Sequence, residues 1–176
     1  MQATARMASV MSSARPLRRR LIRVVRPTLA PLFMGEIYAV APVDSKVREF
    51  LRSQSVAVPQ EPSRGPTFTD IQDVLARLDG YSVESDPFVV GAPWDAQIAS
   101  RTDPYLWTRA VIHELAPSDC PQSLSFHKGA SELVAAIVLQ LTQTCGPLIV
   151  FTGSGALPLV VSSRDSIHDL LSSWDL

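Results

Sequence analysis

The stretch that most constrains the fold is "ASELVAAIVLQLTQTCG", residues 130–146. Leu133, Val134, Ala136, Ile137, Val138, Leu139 and Leu141 leave only a narrow polar stripe through Glu132, Gln140 and Gln143. A surface helix keeps one wide polar face, whereas a helix apolar almost all round has to be covered on several sides. Ser131 is placed to cap its first turn. Gly146 then Pro147 stop it sharply, because glycine accepts the conformation after a last turn and proline cannot continue a helix. Two short apolar runs follow, "PLIVF" and "ALPLVV", on either side of Gly153-Ser154-Gly155. The pattern predicts a central helix over 131–145, laid on a sheet that a hairpin closes.

Upstream, "LFMGEIYAVAP" (32–42) reads as a strand and "DSKVREFLRSQS" as a helix with Asp44 or Ser45 as cap. Residues 58–66 collect Pro, Gly, Ser and charge, so they form a loop. "TFTDIQDVLARLDG" is amphipathic: Ile71, Val74, Leu75 and Leu78 recur at helical spacing, Asp70, Gln72, Asp73 and Arg77 point outward, and Thr67 or Thr69 caps. "DPFVVG" reads as a short strand, residues 92–104 as irregular, and "YLWTRAVIHELAP" and "SLSFHKG" as an antiparallel strand pair. The tail offers Ile167, Leu170, Leu171 and Trp174 at helical spacing. Hairpins outnumber parallel crossovers. The prediction is therefore α+β: a single, mostly antiparallel sheet with helices packed on it, one domain over 31–176.

Charge is unevenly placed. Residues 1–30 hold seven arginines and no acid, a basic arm that reads as a tail or as an organellar transit peptide. The remaining chain carries nine basic and seventeen acidic groups. An acidic body argues against a nucleic-acid-binding face, which needs clustered Lys and Arg. No apolar run approaches the roughly 18–20 residues of a membrane-spanning helix. Two cysteines, Cys120 and Cys145, make no disulfide framework and fit a reducing compartment. The expected location is cytoplasmic, or the mitochondrial matrix if the arm is a transit peptide.

Catalytic motifs fail one by one. Ser154 lacks glycines two residues to either side, where Thr152 and Ala156 stand, so it is no nucleophile elbow. The Gly-Ser-Gly opens no helix and has no lysine, which excludes dinucleotide and phosphate loops. His113-Glu114 lacks a histidine at 117, where Pro stands, so the zinc-protease pattern is broken. The best catalytic constellation is Cys120 with His113 or His127, imidazole stabilising a thiolate if the strands bring them together. No cofactor or metal is implied.

"SLSFHKGASELVAAIVLQLTQTCGPLIVFTGSGALPLVV", with the strand before it (105–161), resembles the C-terminal half of small bacterial α+β immunity proteins encoded beside polymorphic toxins. The likeness is one of pattern: a strand, a mostly apolar helix ending at Gly, and a closing strand pair. It implies a cofactor-free protein that blocks a basic toxin domain through an acidic surface with aromatics. The Arg-rich arm departs from that pattern. The resulting expectation is a non-enzymatic binding protein that contacts its partner through Asp70, Asp73, Trp94, Asp95, Asp103 and Tyr105, on the helix at 69–79 and the segment 92–105.

Overall fold

The computed structural model describes residues 37–153 and 158–174. The basic arm, the residues just after it and Ser154 lie outside them. Seven strands form one sheet in which every pairing is antiparallel: β1 (Ile37–Pro42), β2 (Tyr81–Ser85), β3 (Trp94–Ser100), β4 (Trp107–Ile112), β5 (Leu124–Gly129), β6 (Leu148–Thr152) and β7 (Leu159–Val161). Their spatial order is β2-β3-β4-β5-β1-β6-β7. Four helices accompany them: α1 (Ser45–Ser53), α2 (Phe68–Ala76), α3 (Ser131–Cys145) and α4 (Ile167–Trp174). The α+β expectation stands, with an antiparallel sheet.

The core follows from α3. Leu133, Val134, Ile137, Val138 and Leu141 are all within 1% of complete burial. They pack with α2 and α4 on one face of the sheet, against Val40, Trp94, Ile98, Ile112, Phe126 and Val150. Each strand contributes alternate residues to that face. On β4 these are Thr108, Ala110 and Ile112, and Thr108 meets its polar need by donating from Oγ1 to the Lys128 carbonyl at 2.9 Å. Burying about ten large side chains here, at roughly 1.5–3 kcal/mol each, is the main force that holds the sheet to its helices.

Local devices set the ends. Thr67 caps α2 within a capping box, accepting from the Asp70 amide while the Asp70 carboxylate accepts from the Thr67 amide. Asp44 caps α1 by accepting from Val47 N at 2.8 Å. The N-cap of α3 is Ala130 rather than Ser131, and no side chain caps it. Its first turn instead sits against the sheet, with Ala130 N donating to the Trp107 carbonyl at 2.9 Å. Gly146 (φ +74°) ends α3 where a Cβ would strike the Pro62 carbonyl, so the loop before α2 can close over the helix terminus.

Two predicted segments exchange roles. The chain is extended at Trp94–Ser100, read as irregular, while "DPFVVG" is a loop. Pro87 has no amide to give a ladder and Gly91 takes φ +81°, so the apolar run turns instead of pairing. Gly91 N to Leu115 O (2.8 Å) and Leu115 N to Ala92 O (2.9 Å) hold that loop against the chain beyond β4.

Candidate functional site

The second face of the sheet divides in two. Over β6, β7 and the Ala41 end of β1 it is covered: Leu51 of α1, with Val43 and Ile149, forms a small second core, and Phe50 lies on Phe151 at 6.3 Å between ring centroids. Over β3, β4 and β5 no described helix lies on it, and the register sets out a grid of side chains. One row runs Gln97, Arg109, His127, Ile37; the next runs Asp95, Val111, Ser125, Ala39. Arg109, Gln97, Ile37 and Ala39 are exposed, and the others are half-buried.

Polar contacts knit the grid. Arg109 forms an ion pair with Asp95 across β3 and β4. Ser125 Oγ and His127 Nε2 are 3.0 Å apart, and the His113 ring lies 6.0 Å from that of His127, tilted edge-on. Burial, then the neighbouring His113 and Arg109, push His127 below the ordinary histidine pKa. It therefore stays neutral further into acid than a free imidazole. Sequence reading overlooked the Ser125–His127 pair; the signal available was their i, i+2 spacing on one face of a strand. Their separation is within nucleophile–base range. Ser125 Oγ, however, also donates to the Val111 carbonyl (3.3 Å), which ties the hydroxyl to the β4 main chain.

The proposed Cys–His constellation is not assembled. Cys120 sits in the turn after β4, its amide bonded to Pro117 O and its carbonyl accepting from the buried Gln122 side chain. Its thiol has no hydrogen-bond partner among the described residues. Cys145 is buried at the end of α3, 3.9 Å from an Asp70 carboxylate oxygen. Burial pushes its thiol pKa up, against the opposite pull of the Thr144 hydroxyl, so it remains a protonated, inert thiol near neutral pH. The recess above it, lined by Ser63, Arg64 and Thr144, is about 240 Å³ and shallow. Ligand pockets usually exceed roughly 300 Å³. Among the described residues no group of three His, Cys, Asp or Glu could hold a metal ion.

The predicted contact residues fall in different places. Trp94 is fully buried, its ring edge-on to Phe68 at 5.2 Å and its Nε1 donating to Asp86 O at 3.0 Å; it belongs to the core and has no surface to offer. Asp70 does not point outward as its helix periodicity suggested. The Arg64 guanidinium clamps both its oxygens (2.6 and 2.9 Å), and with Thr67 this holds the carboxyl well below the usual carboxylate range. Asp95 is on the bare face, paired with Arg109. Asp73 is exposed on α2 beside Arg77, on the other side of the sheet. Asp103 accepts from the Tyr105 amide (2.9 Å) in the β3–β4 turn, and Tyr105 is 87% exposed. Asp95 with the Asp103–Tyr105 turn is thus the part of the predicted set that the hairpin β3–β4 carries together.

Fold and site define an α+β domain with a seven-stranded antiparallel sheet, one of whose faces is covered over only about half its width by the described residues. Comparison with family models, with curated proteins and with solved structures finds no match. No helix among the described residues is long and apolar enough to cross a membrane.

Proposed function

We propose that this chain is a non-enzymatic protein-binding domain that holds a basic partner against the β2–β4 end of its sheet. One observation carries the reading. Residues 67–106, which build α2, β2, β3 and the β3–β4 turn, hold seven acidic and two basic side chains. Asp70 and Asp73 of that count lie on α2 across the sheet, while Glu84, Asp86, Asp95 and Asp103 belong to β2, β3 and their flanking turns, beside the half of the sheet that no described helix covers. Glu84, Asp86 and Tyr105 stand exposed there, and a field of one sign speeds encounter with a partner of the other. In its most concrete form the reading is an immunity-type inhibitor that neutralises a toxin domain, acting without a cofactor. Two cysteines that stay free fit the reducing cytoplasm.

Affinity capture from native lysate tests it. A stoichiometric basic protein is expected with the wild-type chain and is expected to be lost on raising salt. The triple variant E84K/D103K/Y105A should fold normally and recover it at least tenfold less well. Repeated capture of no stoichiometric partner, or equal capture by the variant, rejects the proposal.

A further inference from the structure

The sheet ends in two unlike edges. β7 is three residues long and leads at once into the turn before α4. β2, "YSVES", is five residues long, exposed along most of its length, and among the described residues paired on one side only. Arg101 N to Gly80 O and Asp86 N to Asp95 O (both 2.9 Å) show which residues are bonded toward β3: Gly80, Ser82, Glu84 and Asp86. In an antiparallel ladder the residues between them turn their main-chain groups the other way. The amides of Val83 and Ser85, and the carbonyls of Tyr81, Val83 and Ser85, therefore project from the edge. The Tyr81 amide is already turned to Leu78 O (3.3 Å).

Natural proteins blunt such edges with lysine, proline, a bulge or a covering element. Among the described residues β2 has none of these, and Glu84 is its one charge. Val83 is 38% exposed.

We infer that β2 pairs antiparallel with β2 of a second copy of this chain, about a two-fold axis through Val83. The alternatives fail on chemistry. Outward-facing residues have to meet outward-facing ones, so the register slips in steps of two. Centred on Ser85, it sets Val83 against Pro87, which has no amide, and Glu84 against Asp86. Centred on Glu84, it sets two carboxylates directly opposite, which is destabilising. Centred on Ser82, it pairs only residues 81–83. Centred on Val83, it pairs all five: Val83 with Val83, Tyr81 with Ser85, and each Glu84 opposite Ser82, whose hydroxyl would turn from the Ala99 carbonyl (3.2 Å) to the carboxylate. About four main-chain hydrogen bonds result, two within the Val83 pair and one from each Ser85 amide to the other copy's Tyr81 carbonyl. The two sheets become one, and the two bare faces lie side by side. The seam shares Glu84 with the partner surface proposed above, and the Ser82 variants leave that residue in place.

Sedimentation equilibrium of the full chain tests it, with a mass of twice 19.2 kDa expected at tens of micromolar. The sign of the Ser82 effect tests the register. Ser82→Lys, opposite Glu84 in both copies, should tighten the dimer about fivefold, and Ser82→Glu should weaken it by about as much. Both changes are on an exposed strand position and leave the core untouched. In hydrogen exchange, the Val83 and Ser85 amides should become slower as the wild-type protein is concentrated. A chain that stays monomeric at about 0.5 mM overturns the inference. So does a dimer of equal strength in both Ser82 variants, which places the contact elsewhere. Protection of those amides in the monomer overturns it too, because another part of the same chain then covers the edge.

Discussion

The two faces of the sheet are made by the same strands, one residue out of step, and they obey different rules. On one face Trp94, Ile98, Ile112 and Phe126 are sealed under α2 and α3. On the other their chain neighbours Asp95, Arg109, Val111 and His127 meet one another and solvent. Burial is what makes a side chain expensive to change, so the pleat separates residues that keep the fold from residues free to bind. A one-residue slip of any central strand would swap the two sets, which is why the register is held so firmly.

The largest expected effect tests that separation directly. Trp94→Ala opens a cavity beneath Phe68 and strands the Asp86 carbonyl, costing about 3–5 kcal/mol in denaturant unfolding. Arg109→Ala, across the sheet, is expected to cost less than about 1 kcal/mol, because the guanidinium side of its ion pair with Asp95 is more than half exposed. Equal costs would show that the bare face is covered in solution and would break the comparison.

A smaller effect concerns Asp70, where a residue of binding character has become structural. Asp70→Asn keeps the shape but loses the charge that Arg64 and the first turn of α2 hold, for about 1–2 kcal/mol. The half-exposed guanidinium is screened by solvent, so the figure belongs at the low end of charge-assisted contacts. The Arg64 contact, then Thr67, lower the folded pKa. The contribution is thus present above the ordinary aspartate value near 4 and drains away as pH falls below that value toward the lowered folded pKa. Acid titration of stability should be steeper in the wild type than in Asp70→Asn; parallel curves would remove the clamp.

The thiols divide in the same way. Cys145, sealed with a raised pKa, should resist iodoacetamide at pH 7.5 until the chain unfolds, while the half-exposed Cys120 is labelled first because the reagent can reach it. A fast-reacting thiol in the folded protein would revive an enzymatic reading.

What was legible in the chain was what neighbouring residues decide together. The nearly all-apolar periodicity of 131–145 and the cap offered at Thr67 or Thr69 are local patterns, and the helices stand where those patterns put them. β3 was hidden although Trp94, Ala96 and Ile98 alternate with Asp95 and Gln97. Its small alanines and the flanking Pro93 and Pro104 look like loop composition, and only pairing on both sides makes it a strand. "DPFVVG" misled in the opposite direction, being β-branched and apolar yet broken by Pro87 and Gly91. The site was harder still. That Trp94 faces inward, and that Arg109 stands beside both Gln97 and His127, depends on the register of β4 against β3 and β5, which no local pattern records.

The smallest effect sharpens the comparison most finely, because it reads the half-buried middle of the bare face. Burial is the leading reason that His127 titrates low, with the charges of His113 and Arg109 next. An imidazole whose folded pKa is lowered binds its proton first in the unfolded chain. Its contribution is therefore complete above about pH 6.5 and is lost as pH falls below that value through the folded pKa. NMR titration should place His127 below a free histidine. Arg109→Gln should raise it only part of the way, since desolvation remains. Full recovery of the ordinary value in that variant would mean that charge, not burial, governs the site, and that this face is as open to water at His127 as it is at its rim.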